Sequence, residues 1–152
     1  MSATATTSPA ELSIPADRAA VRHASSWLDL EASAQGVPVD QIRRLDHCLD
    51  ESLANILAHG GAGARESPIL LRLTVRRNAG DCAAELTVVD SGVAFDARTV
   101  SARSRPATGS LSEAQPGGLG LVMMRRFSDD LEYLRGDGRN HLTFIVRWGD
   151  VA

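Results

Sequence analysis

The stretch Gln41–Gly60, QIRRLDHCLDESLANILAHG, places apolar residues at Ile42, Leu45, Leu49, Leu53 and Ile56. At about 100° per residue these five form one stripe of a helix. Arg43, His47, Asp50 and Ala54 take the opposite side, where solvent is expected. Glu51, Asn55 and His59 recur every fourth position and form a stepped row along one flank of the stripe. The spacing thus predicts an amphipathic helix with a polar row at the border between core and solvent. A carboxylate, an amide and an imidazole aligned there suit the edge of a ligand cleft. The same row also fits the polar shoulder of an ordinary helix, and the helix alone does not separate the two.

With 152 residues, 43% hydrophobic and 23% charged, the chain has the size and composition of one globular domain. Its formal net charge of -3 comes without a basic block, which argues against direct nucleic-acid binding and for a protein or small-molecule partner. No apolar run reaches the roughly 18 residues of a membrane helix. The start, MSATATTSPAEL, has neither the basic segment nor the apolar core of an export signal, so a cytoplasmic protein without membrane contact is expected. Cys48 in the helical run and Cys82 in an apolar alternation read as small buried hydrophobes, with no disulfide or metal assigned.

Residues 1–10, rich in Ser, Thr and Ala, are expected to be a flexible tail. Glu11 to Ile14 reads as a short strand. Asp17 reads as the N-cap of a first helix carrying Ala20, Val21, Ala24, Trp27, Leu28 and Leu30, and Asp40 as the cap of the second. Gly60, Gly61 and Gly63 end that helix and lead through Pro68 into a strand where Leu71, Leu73 and Val75 alternate with Arg72, Thr74 and Arg76. Beyond the turn Asn78 to Asp81, the run Ala83 to Val89 returns as the second strand of an antiparallel hairpin, with Asp90 at its end.

The polar stretch Ser101 to Pro116 shows no sustained periodicity, and so long a loop inside a domain is usually functional. It feeds Gly117, Gly118, Leu119 and Gly120, after which Leu119, Val122, Met123 and Phe127 follow helical spacing. Asp129 and Asp130 stand near that helix's end, where the macrodipole disfavours acids, and mark a boundary or a separate role. Leu131 to Leu134 and His141 to Trp148 read as two more strands around Gly136, Asp137 and Gly138.

Glycine amides ahead of a helix N-terminus favour an anion such as phosphate. Alone that signal is weak, because no Gly-Lys-Ser/Thr follows and a loop, not a strand, precedes it. Asp90-x-Gly92 alone is a common turn; a carboxylate fixed at a strand end can equally accept an exocyclic amine, and adenine fits.

In this order the pieces resemble the Bergerat-fold (GHKL) ATPase superfamily of gyrase and the histidine kinases. Within it the chain is most similar to the anti-sigma-factor serine/threonine kinases, the partner-switching regulators, over roughly residues 11–148. The resemblance implies an α+β fold, a two-layer α/β sandwich whose mixed, mostly antiparallel sheet is covered on one face by about three helices. It implies a single domain over 11–150 with an ATP lid at about 97–117. It further implies that Asn55 coordinates Mg2+, that Glu51 acts as base or orients the attacking hydroxyl, and that Asp90 binds adenine with Gly92 as its conformational partner. Gly117, Gly118, Leu119 and Gly120 match the phosphate-holding glycine box, and Thr143 the strand threonine near adenine. His59 ends the first motif without an assigned task, and Arg103 and Arg105 of the lid are within the stretch that reaches phosphates or a partner. Where many relatives have a second glycine in the first box this chain has Ala94, followed by Phe95 and Asp96 as in many members of the subgroup.

The implied activity is phosphoryl transfer from Mg-ATP to a serine or threonine of a STAS-domain anti-sigma-factor antagonist, by a homodimer that also sequesters a sigma factor. A histidine kinase would need phosphoacceptor helices for which the chain has no room. The alternative is a nucleotide-dependent sequestering module with little or no kinase activity.

Overall fold

The hairpin of β3 (Ile69–Asn78) and β4 (Asp81–Asp90) is the centre of the sheet, and it forms where apolar alternation and turn chemistry agree. Ile69, Leu71, Leu73 and Val75 of β3 and Ala84, Leu86 and Val88 of β4 are buried on one face. Ala79 and Gly80 both take positive φ, 50° and 90°, the pairing that a two-residue turn between twisted strands requires. The computed structural model describes residues 4–99 and 118–149, the side chains of 99 and 118–121 excepted.

Around the hairpin stand β1 (Ala5–Thr6), β2 (Ala10–Ile14), β5 (Asp130–Gly136) and β6 (Arg139–Gly149). The order is β1-β3-β4-β6-β5, with β2 also on the outer edge of β3. The α+β class is as expected, but every described pairing is antiparallel, where a mixed sheet was expected. Residues 5–10 also depart from the expected tail: Ala5 pairs with Arg77, Thr6 with Arg76, and the Thr7 hydroxyl accepts from Val75 N–H at 3.0 Å. Backbone pairing along an open strand edge overrides a composition that reads as disordered.

The helices α1 (Arg18–Ala34), α2 (Val39–His59) and α4 (Gly118–Phe127) pack on the buried face of the sheet, joined by a short α3 (Gly61–Glu66). Asp17 caps α1 as its residue type predicts, accepting Ala20 N–H at 2.9 Å. At its other end Gly36 N–H donates to Ser33 O and Val37 N–H to Ala32 O, closing the helix around a glycine at φ 79°. Leu30, expected to share the apolar face of α1, is instead 70% exposed. Asp40 does not cap α2: the cap position is Pro38, without a side-chain bond, and Asp40 lies within the first turn, where its charge complements the helix N-terminus.

The stripe of α2 is buried throughout, joined by Cys48 and Ser52. Burial pushes the Cys48 thiol up to about 12, with Glu51 adding to the rise and Arg44 opposing it, so it stays a thiol and donates to Met124 O. Asp129 lies just beyond α4 and not inside it. It accepts both Arg44 guanidinium nitrogens, at 3.2 and 2.9 Å, and Arg147 N–H at 2.6 Å. The Arg44 hydrogen bonds, followed by that of Arg147, hold its carboxyl below the usual range despite partial burial. With the His47–Phe127 stack at 4.6 Å, these contacts pin the C-terminal end of α4 to α2. Among the described residues no helix is long and apolar enough to cross a membrane.

Candidate active site

The polar row of α2 runs into a cleft between that helix, the end of β4, α4 and β6. Ser52, Asn55, His59, Asp90 and Asn140 supply its polar groups, while Ile56, Val93, Phe95, Ala97, Met124 and Leu142 form apolar walls. Its volume is about 280 Å³. Small-molecule pockets begin at roughly 300 Å³, so the enclosed part holds a ring system and any longer ligand must extend through the open side. Asn55 and His59 of the row reach the cleft; Glu51, one turn earlier, is half-buried and does not line it. The Asn55 Nδ2 is buried without a hydrogen-bond partner among the described residues. Such an atom costs about 1–3 kcal/mol unless something in the cleft satisfies it.

Asp90 closes the back of the cleft at 7% exposure. Its Oδ1 accepts from Gly92 N–H at 2.8 Å and from Asn140 Nδ2 at 3.2 Å. Gly92 is needed there for space and not for its φ: a Cβ would stand 2.8 Å from Asp90 Oδ1 and 2.9 Å from Gly60 O. Overpacking of this kind costs about 1–3 kcal/mol. Gly92→Val is therefore expected to lower the melting temperature by roughly 2–12 °C, at about 2–4 °C per kcal/mol for this size. Thermal circular dichroism measures it, and an unchanged midpoint would contradict the tight nest. Ala94, the departure in this turn, is not among the described residues of positive φ, which are Ala79 and Asp137 besides glycines, so its backbone does not demand glycine.

Thr143 does not reach the cleft. It pairs with Thr87 across β4 and β6, on the sheet face opposite the helices, with the two hydroxyl oxygens 2.8 Å apart. The β6 residue that does meet Asp90 is Asn140, its direct register partner. Sequence reasoning missed it; the available signal was a polar residue sharing strand parity with Leu142, Phe144 and Val146. Arg135 is a second omission, its Nη1 donating to Gly92 O at 2.8 Å. Gly118, Leu119 and Gly120 form the first turn of α4, while Gly117, Arg103 and Arg105 lie outside the described residues, as does most of the expected lid. Within its described part, Ala97–Thr99 forms a 3-10 turn.

A strand-end carboxylate at the back of an apolar slot, with a cleft-facing amide, suits a flat base that carries an exocyclic amine. Among the described residues no group of three or more His, Cys, Asp or Glu could hold a metal ion by itself. A hard cation here would take the Asn55 amide oxygen and complete its shell with ligand oxygens and water, as Mg2+ commonly does.

Over 96 residues the chain is 43% identical to Serine/threonine-protein kinase BtrW of Bordetella bronchiseptica, an alignment taking up 63% of this chain and 63% of that relative. Its fold matches the crystal structure of the RsbU and RsbW domains of Rv1364c from Mycobacterium tuberculosis with a TM-score of 0.62 at 19% identity, over 96% of this chain and 34% of that one. The family model for the histidine kinase-like ATPase domain matches residues 14–146, nearly the whole fold from the end of β2 through β6, and the chain belongs to that family.

Proposed function

We propose that this chain binds Mg-ATP in the cleft and transfers the terminal phosphoryl group to a serine or threonine of a partner protein, as a partner-switching kinase. The observation that carries this is the Asp90 nest: a buried carboxylate with one oxygen committed to Gly92 and Asn140, at the end of an apolar slot that the Asn55 amide also faces. The name of the 43% identical relative, a serine/threonine-protein kinase, supports the same reaction.

The residues present fit the nucleotide and its cation. Asp90 accepts the exocyclic amine of adenine between the apolar walls. The Asn55 amide, whose Nδ2 is buried and unpaired among the described residues, has an N–H for a phosphate oxygen and a carbonyl oxygen for Mg2+. When bound, the cation neutralises phosphate charge during transfer. The Gly118 to Gly120 turn presents backbone N–H groups at the N-terminus of α4, where developing negative charge is stabilised. Glu51, on the same helix as Asn55, receives or aligns the hydroxyl proton of the acceptor. No covalent enzyme intermediate is required.

The same proposal extends to partners: a sigma factor held by the chain, a STAS-domain antagonist as phosphoacceptor, a homodimer as the working unit, and the cytoplasm as its place. Incubating the purified chain with Mg-ATP and the STAS-domain proteins of its source tests it. Phosphate is expected on one serine or threonine of one of them, located by mass spectrometry and lost when EDTA replaces Mg2+. Absence of phosphorylation on every such protein would overturn the kinase assignment.

A further inference from the structure

Asn140 is 5% exposed and sits at the centre of five hydrogen bonds that tie β5, β6 and the turn after β4 together. Its Oδ1 faces Phe95 N–H at 3.3 Å, Arg135 Nη1 at 3.2 Å and the Tyr133 hydroxyl. Its Nδ2 faces Val93 O at 2.8 Å and Asp90 Oδ1 at 3.2 Å. A backbone N–H and a guanidinium only donate, and a backbone carbonyl only accepts, so the amide has one orientation and cannot flip without breaking the set. The nitrogen side is thereby committed to Asp90.

The consequence falls on Asp90. With Gly92 N–H and Asn140 Nδ2 both on Oδ1, that oxygen is occupied, and no described residue donates to Oδ2. A carboxylate with two open oxygens can accept two parallel N–H groups at once. This one offers the cleft a single acceptor. Adenine presents one amine N–H beside a ring nitrogen that only accepts. Guanine presents a ring N–H and an amine N–H side by side, and needs both oxygens to satisfy them.

We propose that Asn140 is a positioning residue that holds Asp90 as a one-oxygen acceptor and so selects adenine over guanine nucleotides. This rests on the nucleotide-binding reading of the cleft. Unlike a purely structural role, it predicts a change in the ratio of two affinities.

Competition of Mg-ATP and Mg-GTP against a fluorescent adenine nucleotide, on the full chain, tests it. The wild type is expected to prefer ATP by a hundredfold or more, and Asn140→Leu to cut that preference at least tenfold, with weaker ATP and equal or tighter GTP binding. Asn140→Thr, which restores a hydroxyl donor, is expected to recover part of it. Should Asn140→Leu fail to fold, Asn140→Ala, which removes the same donor without adding bulk, is expected to cut the preference at least threefold. A folded Asn140→Leu, or failing that Asn140→Ala, with an unchanged ATP to GTP ratio overturns the inference, as does a wild type that binds both equally. A wild type that binds the probe and both nucleotides not at all overturns instead the nucleotide-binding reading itself.

Discussion

Replacing Asp90 by asparagine weakens Mg-ATP binding by roughly 10- to 150-fold, from the loss of a hydrogen bond to a charged group worth about 1.5–3 kcal/mol. The upper end applies because of the way the side chain is held. Gly92 N–H and the Asn140 amide both donate to the Oδ1 position, so the oxygen of the new amide must take that place. Its NH2 group is then forced toward the cleft, where a donor meets the amine of adenine. The substitution changes neither side-chain volume nor the two internal hydrogen bonds, so the melting temperature should move by less than roughly 4 °C, the equivalent of about 1 kcal/mol for this size. Isothermal titration of the folded variant measures the effect. An unchanged Kd would remove Asp90 from the base-binding role and with it the proposed orientation of the nucleotide.

The elements that frame the cleft are legible in the sequence, and the exceptions have physical causes. The stripe of α2 was readable because Ile42, Leu45, Leu49, Leu53 and Ile56 repeat at helical period and all are buried. The hairpin of β3 and β4 was readable because its alternation is clean on both strands. β6 is different: Leu142, Phe144 and Val146 face the helices, but Ile145 on the other parity is also buried, at 4%. With apolar residues on both faces the strand's orientation is hidden, so the resemblance points to Thr143, which pairs with Thr87 on the other face, and the pattern does not single out Asn140. The segment Gly60 to Gly63 was read as punctuation, yet Gly61 opens α3. There glycine serves approach distance: a Cβ on Gly63 would stand 2.7 Å from Ser91 O, which packs the helix against the turn after β4. Propensity registers the weak helix formers and has no access to the neighbour that makes them necessary.

These corrections tie the cleft more closely to the sheet. Asp90, Gly92 and Asn140 belong to one hydrogen-bonded unit that also contains Arg135 and Tyr133 of the edge strand β5. On the opposite wall, Met124 is buried and its carbonyl accepts from Cys48 Sγ at 3.6 Å and from Ser128 Oγ at 2.7 Å. The Asp90 end of the cleft is thus hydrogen-bonded into helix and sheet on both sides, the support that precise recognition requires. The first turn of α4, which the proposed function assigns to phosphate, stands ahead of the segment pinned by His47 and Arg44.

Glu51→Gln is expected to lower phosphorylation of the acceptor protein by about 10²–10⁴-fold, the usual contribution of a positioned general base, while Mg-ATP affinity stays within about twofold. The two quantities separate because of where Glu51 stands. It shares the α2 row with Asn55 but lies outside the cleft walls, so nothing in the enclosed part of the site depends on it. Glutamine preserves the length and shape of the side chain and removes only its ability to take a proton. Single-turnover transfer with labelled ATP, paired with titration calorimetry on the same preparation, measures both. A loss of transfer with intact binding places Glu51 at the acceptor hydroxyl, just outside the cleft. Equal loss of both would make Glu51 part of the nucleotide site instead. Transfer at the wild-type rate would remove it from the chemistry, leaving positioning and the charge of a cation held by Asn55 to account for catalysis. If partner binding persists in a variant that no longer transfers phosphate, sequestration and chemistry are separable functions of the same fold.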